Sequence, residues 1–155
     1  MKYFKIVVLS LFLFAAGTAT AQTQPLATKY KVPKLYTQLG SYRDSVMLNT
    51  QEAESLLGKP LKIFDDNKGV YSISSYRFLY KKKGVTEDEA TGKVSPVTTV
   101  VANLFKTTPV PASWLIHVLE QIQPGEAVLF FDVIAKDDKG RVMYAPDFKI
   151  TVKQL

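Results

Sequence analysis

Few side chains in this sequence could carry chemistry, and their types narrow that chemistry quickly. Cysteine is absent from all 155 residues, which removes disulfide frameworks, thiolate metal sites, iron–sulfur clusters and cysteine nucleophiles together. Histidine occurs once, at His117. A general base needs an orienting partner and a nucleophile within reach, and a metal site needs more ligands than one imidazole. The helical neighbours of His117 are Trp114, Glu120 and Gln121, and neither H-E-x-x-H nor G-x-S-x-G occurs. His117 therefore reads as a surface or boundary residue, with no cofactor implied.

The paired carboxylates read the same way. Asp65-Asp66 and Asp137-Asp138 both stand close to glycines, where aspartate bonds its own backbone and tolerates unusual angles. A glycosidase would need two carboxylates facing each other across a cleft. The stretch from Asp65 to Gly69 spaces oxygen ligands like a calcium loop. However, its glycine stands fifth instead of sixth, and Tyr76 occupies the place of the bidentate glutamate. These are predicted turns, and no motif supports enzyme function.

Two opposed charge blocks remain. Lys81, Lys82 and Lys83 precede Gly84, and Glu87, Asp88 and Glu89 follow before Gly92. The stretch from Lys81 to Gly92 reads as the loop of a long hairpin. Those six charged residues are the candidate interaction residues, predicting salt-sensitive binding. Tyrosine is also plentiful. It suits strands and interfaces alike, so most tyrosines are expected in the core, leaving a few with Trp114 for a partner or glycan.

The elements that must position these groups follow from periodicity and punctuation. Tyr30 to Tyr36 mixes lysines, apolar residues and Pro33, the pattern of an edge strand. Asn49 and Glu52 form a capping box for a helix with Ala53, Leu56 and Leu57 inward, ended by Gly58 and Pro60. Val70 to Tyr80 alternates aromatic residues with others, and Ser72, Ser74 and Ser75 mark a bulge or a change of facing. Val97 to Phe105 returns. A second helix has Ser113 as N-cap and Leu115, Val118, Leu119 and Ile122 as its stripe, stopped by Pro124-Gly125. Strands at Ala127–Lys136, Arg141–Tyr144 and Phe148–Val152 complete about seven strands and two short helices. The predicted class is mainly β, α+β in detail: an antiparallel β-sandwich-like domain with two peripheral helices.

The N-terminus reads as an export signal. A basic start, an apolar run from Ile6 to Ala16 and Ala19-Thr20-Ala21 before Gln22 make the three-part pattern of a signal peptide. The run is shorter than the roughly 20 apolar residues of a bilayer span. The predicted organisation is a signal peptide over residues 1–21, a tether over 22–29 and one β domain over 30–155. Removing 21 of 155 residues leaves 134, enough for one core. Lys2 and Lys5 leave with the signal, so 20 basic residues become 18 against 14 acidic ones, and the net charge falls from +6 to +4. That surplus is too small to point to nucleic acid.

The segment from Leu119 to Val142 resembles the closing part of the C-terminal periplasmic domain of the GldM/PorM family. Gly125-Glu126 matches that family's first turn, Ile134-Ala135-Lys136 the end of a strand, Lys139-Gly140-Arg141 the hairpin and Phe148-Lys149-Ile150 the last strand. Val70 to Tyr80 is similar to the opening strand, so the resemblance spans about Val70 to Val152. It implies a β-sandwich-like module of Bacteroidetes-type cell envelopes. In type IX secretion and gliding motility, such modules reach outer-membrane-associated ring proteins. The family's own protein is a dimer held by a transmembrane helix, whereas this chain has a cleavable signal and lacks the length for the other periplasmic domains. The matching positions are structural, so no catalytic residue carries over. The expectation is a periplasmic or secreted, non-catalytic adaptor without a membrane anchor in its mature form. It would contact envelope proteins, with a homodimer as one arrangement. The alternative is a secreted β-sandwich that binds glycan or other envelope ligands.

Overall fold

A computed structural model describes residues 30–154, so the signal and tether readings lie outside the described residues. Nine strands and two helices are found there: β1 Leu35–Leu39, β2 Tyr42–Arg43, β3 Ser45–Leu48, α1 Thr50–Leu57, β4 Leu61–Asp65, β5 Val70–Glu87, β6 Val94–Phe105, α2 Ala112–Leu119, β7 Ala127–Lys136, β8 Val142–Ala145 and β9 Phe148–Val152. The domain is mainly β, as expected from the alternation of apolar residues. The sheet runs β2-β1-β4-β5-β7-β9-β3, with β6 beside β5 and β8 beside β7. Every pairing is antiparallel except β3 with β9, which makes the sheet mixed.

The two ends of that path nearly meet. Strands β2 and β3 are separated by Asp44 alone, whose φ of 60° is unusual for a residue with a side chain. Its N–H donates to the carbonyl of Thr37 in β1 at 3.2 Å, and its carbonyl accepts from the N–H of Lys149 in β9 at 2.9 Å. One residue thus bonds both ends of the sheet.

Two bulges help the long strands curve. The register of β5 on β7 slips between Ile73 and Ser75, and again between Ser75 and Arg77. The extra residue of β5 is Ser74, as the serine cluster predicts. That of β7 falls beside Asp132, at φ 48°. Each bulge kinks its strand and increases local twist. Inside the curve, Tyr76, Phe78 and Tyr80 of β5 meet Phe130 of β7 and Phe148 of β9, all buried. Phe78 and Phe130 stack edge to face at 5.1 Å between centroids, a geometry favoured by the ring quadrupoles.

Helix α1 has the predicted capping box. The Asn49 side chain accepts from the Glu52 N–H at 2.8 Å, and the Glu52 carboxylate accepts from the Asn49 N–H at 3.1 Å. Its buried residues are Ala53, Leu56 and Leu57, as the spacing predicts. In α2 the N-cap is Pro111 instead of Ser113. The helix starts two residues earlier than that N-cap would give, with the fixed φ of Pro111 at its entry, and no side chain caps it. Leu115 and Val118 are buried, with Ile122 just beyond the helix end. Trp114 packs on Phe78 and Phe105, so α2 covers the inner side of β5 and β6.

The first strand departs from expectation. Residues 30–34 form no strand, and β1 begins at Leu35, after Pro33. It lies between β2 and β4 instead of at an edge. Its buried-intermediate alternation from Leu35 to Leu39 explains why: three side chains face the core.

Candidate functional site

The opposed charge blocks do not form a loop. Strand β5 continues to Glu87, so Lys81, Lys82 and Lys83 pair with Val100, Thr99 and Thr98, and Glu87 with Val94. The cause is the β-branched partner strand: valines and threonines opposite the lysines favour extended backbone regardless of the charge beside them. Only Asp88 to Lys93 turns. There the Asp88 carboxylate accepts from the N–H groups of Ala90 at 3.0 Å and Thr91 at 2.9 Å. The bond from the Thr91 N–H leads in holding that carboxyl below the ordinary carboxylate value. Asp88 is thus committed to its own turn, whereas Glu89 is exposed at the tip.

Asp65 and Asp137 use the same device. Asp65 accepts from the hydroxyl of Tyr71 at 2.8 Å and the N–H of Gly69 at 2.7 Å, in that order the main causes of its lowered pKa. At Asp137 desolvation acts upward, but the Arg141 N–H at 2.8 Å and the Arg141 guanidinium outweigh it and hold the carboxyl down. Both acidic pairs are turns, as predicted.

Beyond Lys81, β7 no longer accompanies β5, because Ala127 is its first residue and stands opposite Lys81. From there β5 and β6 continue as a two-stranded arm. Its root is fixed by a residue that sequence reading did not single out as buried. Glu126 is 2% exposed. Its carboxylate accepts from the Tyr80 hydroxyl, from the Lys83 N–H at 2.9 Å and from the Gln123 N–H at 2.9 Å. One buried acid therefore ties together β5, the loop after α2 and the start of β7. Burial first, and then the neighbouring Glu126 carboxylate, push the Tyr80 hydroxyl well above the usual tyrosine pKa. Nothing in the local pattern marks Glu126, since its donors come from residues 3, 43 and 46 positions away.

The three lysines divide by strand alternation. Lys82 turns to the inner side, where its Nζ donates to Gln121 Oε1 at 3.0 Å. Lys81 and Lys83 share the outer parity with Arg77 and Leu79. The Lys83 ammonium lies over Gly125, where a β-carbon would approach it to 2.9 Å and where φ is +85°. Both the space and the left-handed backbone call for glycine there. Lys81 and Lys149 flank a shallow hollow of about 180 Å³ floored by Ala127 and Leu129. On this outer face Leu79, Leu129 and Phe131 are half-buried. Arg77 is answered by Asp132 at 3.3 Å, but among the described residues no carboxylate pairs with Lys81, Lys83 or Lys149. The result is an apolar sheet face studded with free cations, suited to an acidic and partly apolar surface.

Other candidates are placed elsewhere. His117 is exposed on α2, off the buried stripe. Tyr76 and Tyr80 are core residues, and Tyr42 and Tyr144 are exposed on different strands. Trp114, considered for a glycan, is half-buried against two phenylalanines. No helix among the described residues is long and apolar enough to cross a membrane. Comparison with known protein families and with curated proteins finds no match.

Proposed function

We propose that this chain is an exported, non-catalytic protein–protein interaction module of the bacterial cell envelope, related to the terminal periplasmic domain of the GldM/PorM family. Its contact surface is the outer sheet face at the root of the arm. The observation that carries this reading is the set of cations Lys81, Lys83 and Lys149, which pair with no carboxylate among the described residues, around the apolar floor of Leu79, Leu129 and Phe131. Apolar area supplies the association energy, and unpaired charge steers and selects the partner. An acidic, partly apolar surface on an outer-membrane-associated secretion protein is the matching partner class. The export pattern at the N-terminus supports the compartment. The family relation rests on the residue pattern from Leu119 to Val142 and on Phe148-Lys149-Ile150.

The test is crosslinking in cells followed by pull-down, with the chain as bait and the K81E/K83E/K149E variant beside it. Secretion-ring proteins should come with the unaltered chain and fall about tenfold, on the order of 1.4 kcal/mol of binding, with the variant at equal abundance. Equal recovery from both, or recovery of the bait alone, would overturn the reading.

A further inference from the structure

Strand β6 differs from the other edges of this sheet. It has one neighbour, β5, along all twelve of its residues. Val94 to Phe105 contains no charged residue. Edge strands are ordinarily guarded by charge, by shortness, by bulges or by proline. Here β2 has two residues and β8 four. In β6 the one guard is Pro96, close to the turn, and the centre from Val97 to Val101 carries none. Val97, Val100 and Val101 remain 41%, 51% and 42% exposed. A long, β-branched, uncharged edge is a template for another strand.

We infer that β6 pairs antiparallel with β6 of a second copy of this chain, about a two-fold axis through Thr99. The inward row of β6 reads Ser95, Val97, Thr99, Val101, Asn103. That is polar, valine, threonine, valine, polar, the same from either end. Reversed on itself about Thr99, it sets Val97 against Val101, threonine against threonine and Ser95 against Asn103, pairs that favour a sheet. The outward row sets Thr98 against Val100 and Pro96 against Ala102. Even at the net charge of +4 left after removal of residues 1–21, a chain repels its copy over most of its surface, and this strand brings no like charges together. The same register puts Lys106, exposed at the base of one arm, opposite Gly92 of the second copy, in a turn that carries both Glu89 and Lys93, so charges of both signs meet there. By symmetry this contact occurs twice. Because the axis stands perpendicular to the sheet, both outer faces lie on one side, doubling the cationic surface. The pairing itself does not depend on the function proposed for that surface.

The absence of cysteine makes the test direct. Directly opposed residues of an antiparallel pair have Cα atoms roughly 4.5–5.5 Å apart, within disulfide reach. Under mild oxidation with diamide, Thr99→Cys should become mostly a disulfide-linked dimer. Val85→Cys, exposed on β5 of the same arm, should give little. By sedimentation the unaltered protein should be dimeric. Thr99→Lys and Thr99→Asp should each be monomeric, and mixing the two should restore a dimer, which shows that both variants are folded. Any of three results would overturn the inference: an unaltered protein that stays monomeric when concentrated, crosslinking at position 99 no better than at 85, or a monomer whose β6 instead accepts another protein's strand.

Discussion

Two edges of this sheet are treated in opposite ways. At one, Asp44 takes up a left-handed backbone so that its N–H and carbonyl bond β1 and β9 at once, and the edge all but disappears. At the other, β6 runs for twelve residues beside the arm with its outer edge free. Closing an edge at Asp44 tolerates a strained residue, whereas leaving one open exposes valines. The contrast teaches that openness at β6 is not a general looseness of the fold. The root of the arm is in fact pinned by a fully buried acid.

The largest expected effect comes from that pin. Glu126→Ala strands three donors, those of Tyr80, Lys83 and Gln123. Hydrogen bonds to a charged acceptor are worth roughly 1.5–3 kcal/mol each and do not add fully. Urea denaturation should therefore show a loss of about 3 kcal/mol or more, with Tyr80→Phe losing about half as much. A loss below about 1 kcal/mol for Glu126→Ala would mean the arm is held by something else.

At the closed end the effects are smaller and differ in sign of strain. Asp44→Val places a branched side chain at φ 60° and should cost about 1–2 kcal/mol. Asp44→Gly should leave stability unchanged or slightly raised in the same assay. Equal behaviour of the two variants would break the claim that backbone conformation matters there.

Alkaline pH probes the core between the two ends. Burial pushes Tyr76 up to about 12 from an ordinary value of 10.0, and Tyr80 shifts in the same direction. The unfolded chain therefore loses these protons first. Stability is complete below pH 10 and declines as pH rises from 10 towards 12. Tyrosinate absorbance should appear together with loss of tertiary signal. Ionisation of these two tyrosines in a still-folded protein would contradict their burial. The smallest effect belongs to a position outside both ends, on the exposed face of α2. His117→Gln should change unfolding free energy by less than about 0.5 kcal/mol, because the side chain is exposed and off the buried stripe.

Much of this fold was legible from local pattern. The capping box at Asn49, the stripe on α2, the bulge among the serines and the aspartate turns all depend on residues a few positions apart, and each is found. Long-range features were less visible. Lysines at 81 to 83 look like a loop until the valine and threonines opposite them are known, because pairing partners 15 to 19 residues apart decide the backbone there. Tyr30 to Tyr36 looks like an edge until β4 is found to cover one side of β1. Lys149 joins Lys81 only through the register of β9 on β7. Glu126 shows nothing in sequence that separates a clamp from a surface acid, since its partners converge through the tertiary fold.

That β6 is an open edge completed by a second copy is tested most directly by amide hydrogen exchange along Val94–Phe105 at low and high protein concentration. In dilute protein the amides that point away from β5 should exchange quickly, alternating with slow ones that bond β5. In concentrated protein the fast set around Thr99 should become protected while the arm root near Glu126 stays unchanged. Fast exchange of that set at every concentration, or protection of it even in the dilute monomer, would contradict the claim.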